Sequence, residues 1–375
     1  MISQTPDIIQ MKADTYFKVM WVFPLLYLIV VRFRSVISLR LAFFYFFTIV
    51  FGLYCCFMQL STNIDYLSSE EGSDIMNICI SLMITVVSYA YWENYGSPRK
   101  LRWLVVFLFI CGVYLAYAVY TQFLVKSDIS AVEYAFSEKN SMGQILVNVL
   151  VFGIACFIPK YKPSRVAYIV AGIFMLTIVF MMKSRATLCG VFFVIGYYIF
   201  MFKNVKIRIL MFLLAAGALV YLWTSPSAYD TIVNNILLGG RDTTDLDELS
   251  SGRLYLMAKQ IEKIPENIVF GSGTDYMDCF PLMAIVQYGL VGAFIIFTFL
   301  VSLGRKIYSL KPRSGINLAA FLLFWILIIN SLFEAYPPFG PGVKCFILWM
   351  VTGFALAEKG KRKFINQPSL SSPQQ

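Results

Sequence analysis

The chain has 375 residues, 59% of them hydrophobic and only 14% charged, with a mean hydropathy of +0.72. Soluble domains carry about 25% charged residues, so this composition belongs in lipid rather than water. A net charge of +10 would suggest nucleic acid in a soluble protein. Here the positions of the cations carry the information, and no nucleic-acid partner is expected.

The first stretch, Met1 to Lys18, holds Asp7, Lys12 and Asp14 and no small-residue cleavage site, so it does not read as a signal peptide. Apolar runs then recur near 16–31, 41–60, 74–92, 101–120, 142–158, 166–183, 185–202, 206–223, 281–303, 316–333 and 342–357. A helical crossing needs about 20 apolar residues, which makes each run a candidate span. Runs such as Leu41 to Tyr54 do not alternate in polarity, as the strands of a membrane barrel would. The predicted fold class is an all-α polytopic membrane protein. It is a bundle of about eleven transmembrane helices forming one integral membrane domain over 1–375.

Basic residues mark every second connection. They are Arg32, Arg34 and Arg40; Arg99, Lys100 and Arg102; Lys160, Lys162 and Arg165; Lys203, Lys206 and Arg208. Arg305, Lys306, Lys311 and Arg313 follow, and then Lys359, Lys361, Arg362 and Lys363, bringing the total to 20 of the 31 basic residues. By the positive-inside rule that side, including the C-terminus, is cytoplasmic. Acid gathers opposite, at Asp65, Glu70, Glu71 and Asp74, at Asp128, Glu133 and Glu138, and in 224–280. An odd number of crossings then puts the N-terminus outside.

The segment 224–280 is the one long connection, an extracytoplasmic loop of 57 residues with Arg241, Asp242, Asp245, Asp247, Glu248 and Arg253. Long loops are commonly functional. Ser250-Ser251 could cap a helix from Arg253 to Lys263, with Leu254, Met257, Ile261 and Ile264 on one apolar face and Pro265 ending it. Such a helix would lie along the membrane surface, either as a lid or as part of a substrate site.

A second anomaly is the apolar stretch 166–202, too long for one crossing and interrupted only by Lys183-Ser184-Arg185. The chain must turn there, and the two cations fall on the side where cations are otherwise sparse. They either snorkel to headgroups or hold an anion, for which phosphate is the natural partner because Arg grips its oxygens bidentately.

The chain has no histidine, so chemistry must come from carboxylates, Arg, Lys, Tyr or Ser. Its cysteines show no zinc or disulfide spacing. Asp245-Leu246-Asp247 has the two-carboxylate spacing of metal-binding glycosyltransferases, a pattern that also arises by chance in an acidic loop. Gly271-Ser272-Gly273 lacks the Gly-Lys-Ser/Thr continuation of a phosphate loop and is expected to shape re-entry into the membrane. No metal or cofactor is expected.

Several of these residues fall into a pattern. The segment Met182 to Leu188 resembles the Ser-Arg turn of the O-antigen polymerase and ligase family. Ser251 to Met257, Ile264 to Gly273, and Gln287-Tyr-Gly-Leu-Val-Gly292 are similar, in order and spacing, to that family's outer loop and following helix. Lys139 to Gly143 is similar to the Asn-x-x-Gly that opens one of its middle helices. The resemblance implies a membrane glycosyltransferase acting on undecaprenyl-pyrophosphate-linked oligosaccharide, at the outer face of the bacterial cytoplasmic membrane. Membrane lipids and a chain-length regulator protein are its implied partners. Ligases of the family carry a histidine shortly before the helix matching Gly289 to Gly292, and the residue at that spacing here is Asp278. That difference favours polymerase over ligase.

In such a reaction Arg185 and Arg253 would stabilise the leaving pyrophosphate, with Lys183 and Arg241 as further contacts. Asp278 is the first choice of general base, with Asp275 and Glu334 in reserve and Asn140 in the binding site. Asp278 could equally cap the helix before Pro281. The rival class is a flippase of lipid-linked sugars, whose spans would carry polar residues along a cavity. The runs here are nearly free of charge in their middles.

Overall fold

The computed structural model describes residues 20–62, 74–126, 139–201, 205–230, 233–234, 253–273, 277–311, 315–335, 339–340 and 342–365. These residues form twelve helices of eight or more residues and, among the described residues, no strand. In order they are α1 (Val22–Val36), α2 (Ala42–Thr62), α3 (Asp74–Tyr95), α4 (Pro98–Lys126), α5 (Lys139–Cys156) and α6 (Lys162–Met181). Next come α7 (Arg185–Met201), α8 (Val205–Thr224), α9 (Arg253–Lys263), α10 (Phe280–Tyr308), α11 (Gly315–Ser331) and α12 (Val343–Ile365). Without water to take up N–H and C=O groups, apolar runs of this length satisfy their backbone only as helices.

Four helices are long and apolar enough to cross a membrane: α2 over Ala42–Leu60, α4 over Pro98–Thr121, α6 over Lys162–Met181 and α10 over Phe280–Tyr308. Helices α5, α7 and α11 are apolar but shorter. Each of the eleven apolar runs falls on a helix, and α9 has the predicted limits Arg253 to Lys263. The first run is displaced, because α1 extends to Val36 and residues 16–19 lie outside the described residues. Large apolar side chains stand on the surface all round, Phe23, Leu53, Leu213 and Phe294 among them, as expected where lipid is the solvent.

Many of the basic residues occupy helix ends rather than the connections between them. Arg32 and Arg34 are in α1, Arg99 to Arg102 in α4, Lys162 and Arg165 in α6, and Arg305 and Lys306 in α10. The helices outrun their apolar cores, and long cationic stems reach the surface from the last turn. At this end Arg40 Nη1 lies 3.8 Å from Glu93 Oε1, and Trp92 Nε1 donates to Glu358 Oε2 at 3.0 Å.

The bundle is built around α12, whose described side chains from Lys344 to Ala357 are nearly all buried against α3, α5 and α11. A Cβ on Gly353 would meet Ser88 Cβ at 2.8 Å, so α3 and α12 approach closely over small residues. On the other side, Phe47 stacks on Phe299 with centroids 3.9 Å apart, and Phe339 stacks on Trp349 at 5.5 Å. Aromatic pairs contribute about 0.5–1.5 kcal/mol each beyond their area; the first joins α2 to α10, and Phe299, 6.3 Å from Trp349, joins α10 to α12.

Candidate functional site

Helices α5, α7, α10 and α12 all begin at one end of the bundle, where α6 and α11 finish, and the predicted site residues among the described ones, Asn140, Lys183, Arg185, Arg253, Asp278 and Glu334, lie there. The face of α5 explains how. Asn140, Gln144 and Asn148 recur every four residues and so form one stripe. Asn140 Oδ1 accepts from Ser184 Oγ at 2.7 Å, Gln144 Nε2 donates to Glu334 Oε1 at 2.7 Å, and Asn148 Nδ2 donates to the Lys344 carbonyl at 2.6 Å. One helix face therefore fixes the α6–α7 turn, the connection after α11, and the start of α12.

The turn at 182–184 forms where the sequence predicts it. Lys183 adopts a left-handed φ of 51°, uncommon for a residue with a Cβ, and its N–H donates to the Phe180 carbonyl at 3.1 Å. Ser184 Oγ also lies 2.9 Å from Thr187 Oγ1, and Gly143 leaves room for Thr187, which a Cβ there would meet at 3.0 Å. Arg185 is half-buried as the first residue of α7.

Glu334 is buried and forms an ion pair with Lys344, Nζ to Oε2 at 2.7 Å, with only 10% and 8% of their side chains exposed. Together with Gln144 this engages both carboxylate oxygens. Breaking such a pair leaves an uncompensated charge and typically costs about 3–5 kcal/mol.

Arg253 opens α9 and pairs with Asp278, Nε to Oδ2 at 2.9 Å, both side chains being just over a quarter exposed. Arg253 Nη1 also donates to the Phe333 carbonyl at 2.9 Å, while Phe280 N–H donates to the Glu334 carbonyl at 2.9 Å. The two ion pairs thus share the 333–334 backbone. The N-cap position of α10 is Cys279, so Asp278 lies before the cap and reaches Arg253.

Helix α9 uses its faces differently from the expectation. Arg253, Met257, Gln260 and Ile264 turn inward, whereas Leu254 and Ile261 are each 45% exposed. The pairing of Arg253 with Asp278 selects the stripe that faces the bundle, and the second apolar stripe is left exposed.

The glycine motifs meet each other. Helix α10 is broken at Gly289 (φ 64°, ψ −177°), which takes several of its carbonyls out of the helical ladder. Ser272 N–H donates to the Val286 carbonyl at 2.8 Å and Gly273 N–H to the Gln287 carbonyl at 2.9 Å, while Leu290 N–H donates to the Ile268 carbonyl at 2.9 Å. Tyr54 Oη donates to the Tyr288 carbonyl at 2.6 Å. Gly271 has a φ of 80°. A Cβ on Gly271 would collide with the Gln287 carbonyl and the Gly289 N, and one on Gly289 with the Val269 carbonyl, so two backbones touch where only glycine fits.

Arg241, Asp275, Asp245-Leu246-Asp247 and the Ser250-Ser251 cap lie outside the described residues. Sequence reasoning missed Gln144, Asn148 and Lys344. The signals available were carboxamides at four-residue spacing in an apolar run, and a lysine at the head of the run 342–357. The same stripe qualifies the argument against transport, since the bundle interior holds more polarity than its charge count suggests. A scan against protein-family models finds no match for this chain, and a search of curated proteins finds none either.

Proposed function

We propose that this protein is a membrane polymerase of polysaccharide repeat units. It would transfer oligosaccharide from one undecaprenyl pyrophosphate to another at the outer face of the bacterial cytoplasmic membrane, in a bundle crossing the bilayer about eleven times. One observation carries the reading: helix starts and cations coincide at one end. Arg185 and Arg253 are the first residues of α7 and α9, and Lys344 is the second of α12. A cation beside a helix N-terminus opposes the dipole, at a cost of about 0.3–1 kcal/mol each, and a helix N-terminus is itself an anion site. The arrangement suits a pyrophosphate that carries two negative charges while bonded to the sugar and gains a third as it leaves.

In the proposed reaction a hydroxyl of the acceptor sugar attacks the anomeric carbon of the donor chain. The bond from that carbon to the pyrophosphate oxygen breaks, the hydroxyl proton passes to a carboxylate, and undecaprenyl pyrophosphate leaves with the electron pair. Asp278 suits the base because it is partly exposed, whereas Glu334 is buried against Lys344 and Gln144. Glu334 would position the 333–334 backbone. Arg253 has five N–H donors, so it can orient Asp278 and still face the pyrophosphate, with Arg185 and Lys183 completing the clamp. Purified protein supplied with lipid-linked repeat units should yield longer polymer. Leaflet exchange without polymer would mean a flippase, and transfer to a lipid core acceptor a ligase.

A further inference from the structure

At the opposite end of the bundle, α4 and α6 enclose a groove of about 1180 Å³, floored by the end of α5. Its walls are apolar and aromatic, including Phe109, Tyr114, Tyr117, Tyr168 and Phe174. Phe109 and Tyr168 stack with centroids 4.0 Å apart to form the floor. Ile110, Tyr114 and Tyr117 are exposed, so the groove opens along the surface. Its mouth is cationic, with Arg102 and Lys160 among the lining residues.

The guanidinium of the first cation and the backbone of the second are held in place. The Arg102 guanidinium lies over the Phe157 ring, 5.4 Å from its centroid. The turn bearing Lys160 is pinned by Arg165, which donates from Nε to the Pro159 carbonyl at 3.0 Å and from Nη2 to the Lys160 carbonyl at 3.3 Å. Tyr161 and Ser164 add hydroxyls at the same rim.

We propose that this groove binds one anionic glycerophospholipid of the cytoplasmic leaflet. The phosphate would lie between Arg102 and Lys160, and the acyl chains along the aromatic floor. The length fits. From Arg102 to Tyr117 is about 22 Å of helix, close to half of a bilayer about 40–45 Å thick with its headgroups. Basic pockets between membrane helices on the cytoplasmic side favour anionic headgroups, and both lining cations belong to the set that the positive-inside pattern assigns to that side. The groove needs a bundle embedded in a bilayer with Arg102 and Lys160 toward the cytoplasm, and it does not depend on the polymerase reading.

Native mass spectrometry of the full chain, released from nanodiscs of equal phosphatidylglycerol and phosphatidylcholine, tests it. The wild type should retain one phosphatidylglycerol in preference to phosphatidylcholine. Arg102→Gln with Lys160→Gln should weaken that retention about 30-fold, since each surface cation is worth about a factor of five, and should leave thermal stability unchanged. Ala171→Trp, which fills the groove, should abolish it while both cations remain. Equal retention of the two lipids by the wild type, or unchanged retention in the double variant, would each overturn the proposal.

Discussion

Arg253 Nε lies 2.9 Å from Asp278 Oδ2, which joins the first residue of the surface helix to the residue before the cap of the broken helix α10. In the proposed reaction the proton acceptor and a pyrophosphate-binding guanidinium are therefore one unit. Asp278→Asn should lower polymer formation by at least about a hundredfold at unchanged protein abundance. Arg253→Lys should fall by a similar factor, because an ammonium keeps the charge but loses the fork that reaches both Asp278 and the Phe333 carbonyl. The two losses should not add. Normal polymer from either variant in a reconstituted assay would remove the pair from the chemistry.

The Glu334–Lys344 pair makes a contrasting prediction, about stability. Lys344→Met or Glu334→Gln alone should lower unfolding stability in detergent by about 3–5 kcal/mol, by leaving a buried charge or its partner uncompensated. The double change Glu334→Leu with Lys344→Met should recover most of that loss. Activity should not return with it, because Gln144 then loses its acceptor. Additive destabilisation in the double variant would show that the two residues act independently.

Gly271→Ala and Gly289→Ala should each destabilise the protein. Each places a Cβ at positive φ against backbone atoms of the other segment, and the dihedral strain alone is about 1–3 kcal/mol. Gly217→Ala, where a Cβ meets nothing within 4 Å, is the matched control and should be neutral or mildly stabilising. Equal melting temperatures for all three would mean that the two segments do not depend on their close approach.

Asn140→Ala and Ser184→Ala should be coupled. The hydroxyl–carboxamide bond at 2.7 Å holds the turn that presents Arg185, so each change should cost about 1 kcal/mol and the pair little more than either. A double-mutant cycle on thermal stability with no coupling energy would dissociate Asn140 from the turn.

A reporter fused after Gln375 should report the cytoplasm, as the cations of α4, α6, α10 and α12 require under the positive-inside rule. An extracytoplasmic signal would invert the bundle and with it the face assigned to the reaction.

The helices were legible in the sequence because a backbone in lipid has few alternatives, and composition alone then marks the runs. The turn at Lys183 to Arg185 and the limits of α9 were legible for the same reason, since charge or proline interrupts an apolar pattern. The partners were not. Nothing in the local sequence indicates that Gln144 meets Glu334, or that the motif at Gly271 docks on the motif at Gly289, because both depend on which helices neighbour each other. The break within α10 was hidden as well. Gly289 sits in an apolar run, and glycine is common in membrane helices that stay intact.

The central position of α12 also bears on how the molecule is made. Trp349 is fully buried, and Lys344 answers Glu334, yet α12 is translated after α3, α5 and α11, against which it packs. Until it emerges, Thr85 and Ser88 on α3 lack the Trp349 carbonyl and the Gly353 surface that cover them, and the carboxylate of Glu334 has no counter-ion from Lys344. Helix α12 therefore arrives as a keystone for helices already made. A chain truncated before Val343 should leave that polar interior open and accumulate to lower levels than the full chain.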